Sequence, residues 1–377
     1  GMNSPDTGTE FFALNDLSLD GTLPDRAPTC PDDWCDAPNF WSSTVGGQWT
    51  DASNWSLSVP NGPGSEAIFK PQLPTERATL DLPTAVTLGG LHIATNQLLT
   101  LQGDGPLIFA GADATPQQIS LAGDLTRLTV RTPLSWNTAA PLTVDVSSPN
   151  FMFLDARIAA GSGALIKEGG GTLRLTESNS GWTGNVVVDN GVLEVWHSRG
   201  LGRADGGDAD FTRVNELATL RFVGDLDIPS ERVLLDGGTL EGTAVVGEPP
   251  ELQTPIELLA DGRMIGPGPA LDDHSMLAIH GPVTGAAGLE ISGRVEFRGA
   301  NSYSGRTIVG RDGWLRASSP DALGASGGGE DNATIVQRGG RLDAWGGEIR
   351  DELIILEGGR LLGNVAGTIE IRDSGLI

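Results

Sequence analysis

The sequence is poor in the residues that usually anchor chemistry, and each shortage narrows what the chain can be. Only two cysteines occur, Cys30 and Cys35, in the segment CPDDWC. A structural zinc centre needs four ligands at linked spacings, and no second cysteine pair or nearby histidine completes one. The four histidines, His92, His197, His274 and His280, are scattered along the chain. They form no H-E-x-x-H pair, and neither a G-x-S-x-G elbow nor a phosphate loop is present. No run of about 18 apolar residues exists to cross a membrane as a helix. No window holds apolar residues at helical spacing free of Gly or Pro, so helices are not expected. Positive charge is also scarce, with 24 basic against 49 acidic residues and a formal charge of −25. That balance argues against nucleic acid and against anionic membrane surfaces as partners.

What the chain does have is glycine and periodicity. Its 54 Gly and 23 Pro accompany a hydrophobic fraction of 38%. That fraction suits the narrow core of an elongated repeat protein. The segment ALIKEGGGTLRLTESNSGWTGNVVVDNGVLEVWHSRGLG, ending at Gly202, returns as LEISGRVEFRGANSYSGRTIVGRDGWLRASSPDALG, ending at Gly324. Asn179 matches Asn301, Trp182 matches Tyr303, and Leu201-Gly202 matches Leu323-Gly324. A later segment, LLDGGTLEG, returns as ILEGGRLLG. Within each copy, Gly-x-Leu units recur every 20 to 27 residues or so, about one coil of a β-solenoid. Their period-2 alternation puts one side chain inward and the next outward. Leu173, Leu193, Leu220 and Leu240, and then Val295, Leu315, Leu342 and Leu361, are therefore expected to point inward in successive coils. The outward residues read as a mixture of Arg, Glu, Thr and Asp without an evident aromatic row.

Three stretches hold candidate sites. Cys30 and Cys35 form a disulfide if the chain is exported, and otherwise stand as a buried thiol pair. Trp34, Trp41, Trp49 and Trp55 crowd the segment that follows. They suit a cap over the open end of a solenoid, which would otherwise expose its core. Trp41, Trp49 and Trp55 could alternatively offer ring faces to sugars, as a glycan contact. Asp205, Asp208 and Asp210 sit in the long corner ADGGDAD, and Glu330, Asp331 and Asn332 in its counterpart. Closely placed carboxylates can hold calcium, although the spacing fits no EF-hand and a plain acidic loop reads equally from it. Asp272-Asp273-His274 lies in a Pro/Gly-rich loop and reads as solvated. No catalytic residue and no cofactor other than possible calcium is assigned.

The two copies resemble the autotransporter-associated β-strand repeat family. The family pattern is similar, with a Gly-Gly-x-Leu strand, an Asn-x-Tyr-x-Gly turn, a Gly-x-Leu strand and Leu-Gly, and Trp182 stands where the usual Tyr would be. The resemblance covers two blocks of about 40 residues. It implies an all-β, right-handed, single-stranded parallel β-helix from a secreted or surface-anchored bacterial protein. The expected organisation is a flexible leader over 1–29, a Trp-rich cap segment over 30–74, and a solenoid over 75–377. The internal duplication spans about 163–247 and 288–369. The opening GMNSPDTGTE has no charged n-region or apolar h-region, and the closing GTIEIRDSGLI stops inside a strand-like pattern. The chain is therefore expected to be a piece of a larger protein, with no membrane insertion by this fragment. The expected role is structural or adhesive, toward extracellular glycans or neighbouring surface proteins and without catalysis of its own. The alternative is a glycan-binding or polysaccharide-cleaving parallel β-helix, a lyase or hydrolase.

Overall fold

A computed structural model describes residues 39–373 apart from 71–76, 96–97, 112–116, 124–125, 137–139, 160, 204–209, 230, 245–248, 269–274, 326 and 328. The leader, Trp34 and both cysteines lie outside the described residues. So do Asp205, Asp208 and the Asp272-Asp273-His274 cluster.

Short strands separated by glycine corners leave the chain one way to satisfy its backbone groups, which is to pair each strand with the strand one coil earlier and one coil later. The molecule does this throughout, and every ladder between its strands is parallel. The result is a parallel β-solenoid whose coils present three stacks of strands around one core. Among the described residues the only helical elements are single 3₁₀ turns at Ala52–Asn54 and Glu330–Asn332. The first stack holds the Gly-x-Leu strands of the first copy. Leu173 faces Leu193, then Leu220, then Leu240, and the column continues through Met264, Ile291, Val309, Val336 and Leu356. The second stack runs from Leu165 through Val186, Thr212, Val233 and Ile256 to Val283. The third stack carries Leu277, Val295, Leu315, Leu342 and Leu361. All eight repeat positions expected to point inward are buried, the most exposed being Leu361 at 3%.

One feature of the duplication could not be read from spacing. From Leu165 to Val283, five successive registers climb the second stack, and the next strand, Leu289–Ser292, belongs to the first. The second copy therefore starts one stack further around the coil than the first. Its Gly-x-Leu strands lie on the third stack, whereas those of the first copy lie on the first stack. The three stacks offer the same environment, a rung below, a rung above and a shared core. The repeat is thus indifferent to which of them it occupies.

Local rules travel with the repeat. The Asn179 side chain accepts a hydrogen bond from Ile158 N at 2.7 Å and donates to Gly200 O at 2.6 Å, tying three coils together. Asn301 repeats this with Val283 N at 2.8 Å and Ala322 O at 2.6 Å. The aromatic residue three or two positions later is buried in the core, Trp182 at 1% exposure and Tyr303 at 0%. The Leu-Gly element of the next coil closes over it. Gly202 and Gly324 adopt φ of +108° and +95°, and a Cβ there would come within 2.8 Å of Trp182 O and 2.5 Å of Tyr303 O. Only glycine fits both constraints.

At the N-terminal end, Trp55 packs edge-to-face against Trp41 and Trp49, and Phe69 stacks on Trp41 and meets Trp49 and Trp55 at an angle. Strand pairing already begins inside this segment, ahead of residue 75. Gly47–Gln48 pairs with Leu80 and Asp81, and Glu66–Phe69 pairs with Gly90–Ala94. The segment hid its strands because tryptophan and glycine interrupt the alternation that marks the later coils.

Candidate interaction surface

Alternation leaves every second strand residue on the outside, so each stack presents columns of side chains one rung apart. On the first stack, one column reads Phe153, Arg174, Glu194, Arg221, Glu241. Its charges alternate and neutralise each other, with Arg174–Glu194 at 2.7 Å, Glu194–Arg221 at 2.8 Å and Arg221–Glu241 at 2.9 Å. Burial works against the Glu194 carboxylate. Hydrogen bonds from Arg221 and Arg174 outweigh that cost and hold its pKa below the usual value. Arg174 also lies over the Trp196 ring at 4.2 Å and near the Phe153 ring at 4.7 Å.

The equivalent column of the second copy, on the third stack, reads Glu296, Arg316, Asp343 and Leu362. Its signs are reversed relative to the first copy, and its charges do not zip together. Glu296 is taken by Arg298 at 2.9 Å and Ser318 at 2.5 Å. Asp343 is held by both ends of Arg341 at 2.7 Å and by Trp314 Nε1 at 2.9 Å. Arg316, between them, has no hydrogen bond or ion pair among the described residues, and its Nε is buried without a partner. What it touches is aromatic. Its guanidinium carbon lies 5.6 Å from the Trp314 ring and 5.0 Å from the Trp345 ring. Trp314 itself is stacked by Arg341 at 3.9 Å and by Arg294 at 5.3 Å. Trp345 is 71% exposed. Outward aromatics thus recur beside arginines on both copies, although they do not line up in a single row. They sit on different stacks and share no single spacing.

The residues singled out from sequence fall elsewhere. Trp41, Trp49 and Trp55 are 4%, 0% and 4% exposed, so none offers an open ring face to a sugar. Their indole N–H groups are spent inside the segment, Trp49 on Pro60 O and Trp55 on Trp49 O. Trp136 and Trp182 are also internal, meeting edge-to-face at 5.5 Å. Asp210 is buried near Glu231. In the counterpart corner, Glu330 pairs with Arg372, Asp331 lies 3.6 Å from Arg306, and Asn332 donates to Ala325 O. Among the described residues no three His, Cys, Asp or Glu side chains converge on a point that would suit a metal ion. His197 accepts from Arg199 N at a corner. His280 meets Arg298 at 3.0 Å and Glu251 at 3.4 Å.

The interior contains titratable groups that sequence reading missed. Lys167 is an inward strand residue between Val144 and Val188, and its ammonium donates to Glu168 O, Gly169 O and Asn190 O. Burial pulls its pKa down to about 8, against the favourable pull of Asp145 and Glu168. Glu231 bonds to the Thr212 hydroxyl at 2.6 Å, and Glu352 bonds to that of Thr334 at 2.7 Å. These two pairs occupy equivalent places in the two copies. Burial raises both glutamates to about 7, with Asp210 adding to the effect at Glu231.

A shallow groove of about 790 Å³ follows one corner of the coils and is lined in part by Glu216, Asp261, Arg263, Glu290, Arg306 and Asp331. Opposite charges line it together, and Arg263 bonds Glu290 at 2.8 Å.

Two segments of the chain, 165–195 and 292–317, match the family model of the passenger-associated-transport-repeat. Both are autotransporter-associated repeats. They coincide with the strand–turn–strand cores of the two copies, from Leu165 to Val195 and from Ser292 to Ala317. No curated protein and no solved structure matches the chain. The passenger-associated repeat thus accounts for the inward pattern and corners of both copies. The outward columns differ between the copies.

Proposed function

We propose that the chain is an extracellular structural or adhesive segment of a larger secreted or cell-surface bacterial protein, without catalysis of its own. The observation that carries this reading is the continuity of the ladder. One column of paired strands runs from the Trp-packed end to Ile371 and carries two passenger-associated repeats. Stability in such a rod is the sum of coil–coil interfaces, which suits a spacer that holds its length under load. The carboxylates poised near neutrality, Glu231 and Glu352, are 3% exposed and hydrogen-bonded to threonines inside the coils. Neither lines the groove that follows the corner of the coils. Neighbouring surface proteins and extracellular glycans are the partners that an exported rod of this kind would meet.

A second reading, glycan binding, draws support from the open Trp345 ring beside Arg316. Polysaccharide cleavage by acid and base would need two carboxylates about 5–9.5 Å apart across a sugar. The groove with Asp261 and Glu290 is the place to test it. The decisive assay incubates the purified chain with acidic and neutral polysaccharides, with and without calcium, and measures new chain ends. Unchanged polymer length is the expected result. Cleavage abolished by Asp261→Asn or Glu290→Gln would replace the structural reading with an enzymatic one. Surface attachment of the labelled chain to bacterial and host cells separates adhesive from inert versions.

A further inference from the structure

Arg316 is placed as a recognition residue would be. Its flanking carboxylates make their hydrogen bonds elsewhere, Glu296 to Arg298 and Asp343 to Arg341, and Arg316 acts on Glu296 only through space. Its guanidinium lies within cation–π reach of two indole rings, contacts that do not use its donors. Arg294, Arg341 and Arg360 stand in the adjacent column, so arginine outnumbers carboxylate on this face of a chain whose net charge is −25. Beside it, Trp345 turns an open ring to solvent.

We infer that Arg316, Trp314 and Trp345 form a binding site for a carboxylated sugar, a hexuronate unit of an acidic glycan. The inference rests on the adhesive version of the reading above. The chemistry follows from the two components. A guanidinium donates two parallel N–H bonds to a carboxylate in a fixed fork, a geometry an ammonium cannot reproduce. The negative face of an indole complements the C–H face of a pyranose ring. A ligand that stacks on Trp345 while presenting a carboxylate to Arg316 uses both at once. A neutral sugar would leave the guanidinium unanswered. A simple polyanion would leave the ring unanswered.

The test is retention of the full 377-residue chain by immobilised polygalacturonate at near-physiological salt, beside dextran and dextran sulfate. Binding to polygalacturonate is expected to weaken about tenfold or more in Trp345→Ala and in Arg316→Gln, the loss of one charge-assisted contact or one stacked ring. Trp345→Ala removes an exposed side chain, and an unchanged urea midpoint shows that the variant folds. Arg131→Gln, which removes an exposed arginine on distant coils, should bind as wild type. Equal weakening by Arg131→Gln, or equally tight binding of dextran sulfate, would reduce the effect to bulk charge and overturn the inference. Equal binding of dextran would overturn the carboxylate requirement. If polygalacturonate is not retained while the chain still attaches to cells, the sugar site fails and the adhesive reading stands. If neither occurs, both fail.

Discussion

The two passenger-associated repeats are built alike on the inside and differently on the outside. Asn179 and Asn301 each tie three coils, Trp182 and Tyr303 fill equivalent corners, and Thr212–Glu231 and Thr334–Glu352 form equivalent buried pairs. Yet the second copy lies one stack further round, and its outward column reverses the signs of the first. The difference separates two kinds of constraint. Inward positions answer to the rung below and the core, which every stack supplies, so they survive the shift. Outward positions answer to neighbouring outward side chains and to solvent, so they are free to diverge. The first copy uses that freedom to neutralise itself, while the second leaves Arg316 uncommitted.

If stacks are interchangeable, equivalent inward residues should fail equally wherever they sit. Leu193→Asp and Leu315→Asp place the same charge in the core of different stacks, at positions with 0% exposure. Each should cost roughly 3–5 kcal/mol, the usual cost of an unpaired buried charge, read as a drop in urea midpoint. A difference between them larger than about 1 kcal/mol would show that the stacks are not equivalent supports.

A smaller effect tests the repeated buried acids. Glu231 and Glu352 titrate at about 7 in the folded chain, against 4.5 when unperturbed. Below 4.5 each is neutral in both states, and its bond to threonine stabilises the fold. As pH rises toward 7 the unfolded chain releases the proton first, so stability falls, and above 7 the full loss persists. The shift corresponds to roughly 3 kcal/mol per glutamate as an upper figure. Glu231→Gln and Glu352→Gln keep a neutral hydrogen-bonding group and should each flatten the decline between pH 5 and 8. The flattening should be slightly greater at Glu231, because Asp210 adds its repulsion there. A decline that survives in the double variant would place the pH sensitivity elsewhere.

What could be read from sequence follows the same division. Gly-x-Leu alternation, Asn-x-aromatic corners and Leu-Gly closures are local rules, and each was visible as a repeated string. Alternation alone therefore places residues such as Leu193 and Leu315 inward, and both are fully buried. The shift of one stack was not visible, because it depends on how many residues each corner consumes. Trp41, Trp49 and Trp55 read both as a cap and as a sugar platform, since composition cannot say which ring faces are covered. The meeting of Trp345 with Arg316 is hidden from sequence for the converse reason. They lie 29 residues apart, and only the coil brings their side chains together.

The smallest expected effect sharpens the comparison most. Arg174 and Glu194 bond at 2.7 Å across one rung of the first copy. Their equivalents, Glu296 and Arg316, face each other across one rung of the second, with Glu296 engaged by Arg298 and Ser318 instead. A double-mutant cycle with Arg174→Gln and Glu194→Gln should return a coupling of roughly 1 kcal/mol, since the pair is only partly exposed. The cycle with Glu296→Gln and Arg316→Gln should return a smaller coupling, because Glu296 makes its hydrogen bonds to Arg298 and Ser318 and keeps only a through-space attraction to Arg316. The first coupling should weaken modestly in molar salt, because part of the pair is shielded from screening ions. Equal couplings would mean that Arg316 is already satisfied by Glu296, and its availability to a ligand would then disappear. A smaller second coupling, with the first intact, would leave Arg316 as a charge that lies against neighbouring rings and whose hydrogen-bond partner lies outside the coil.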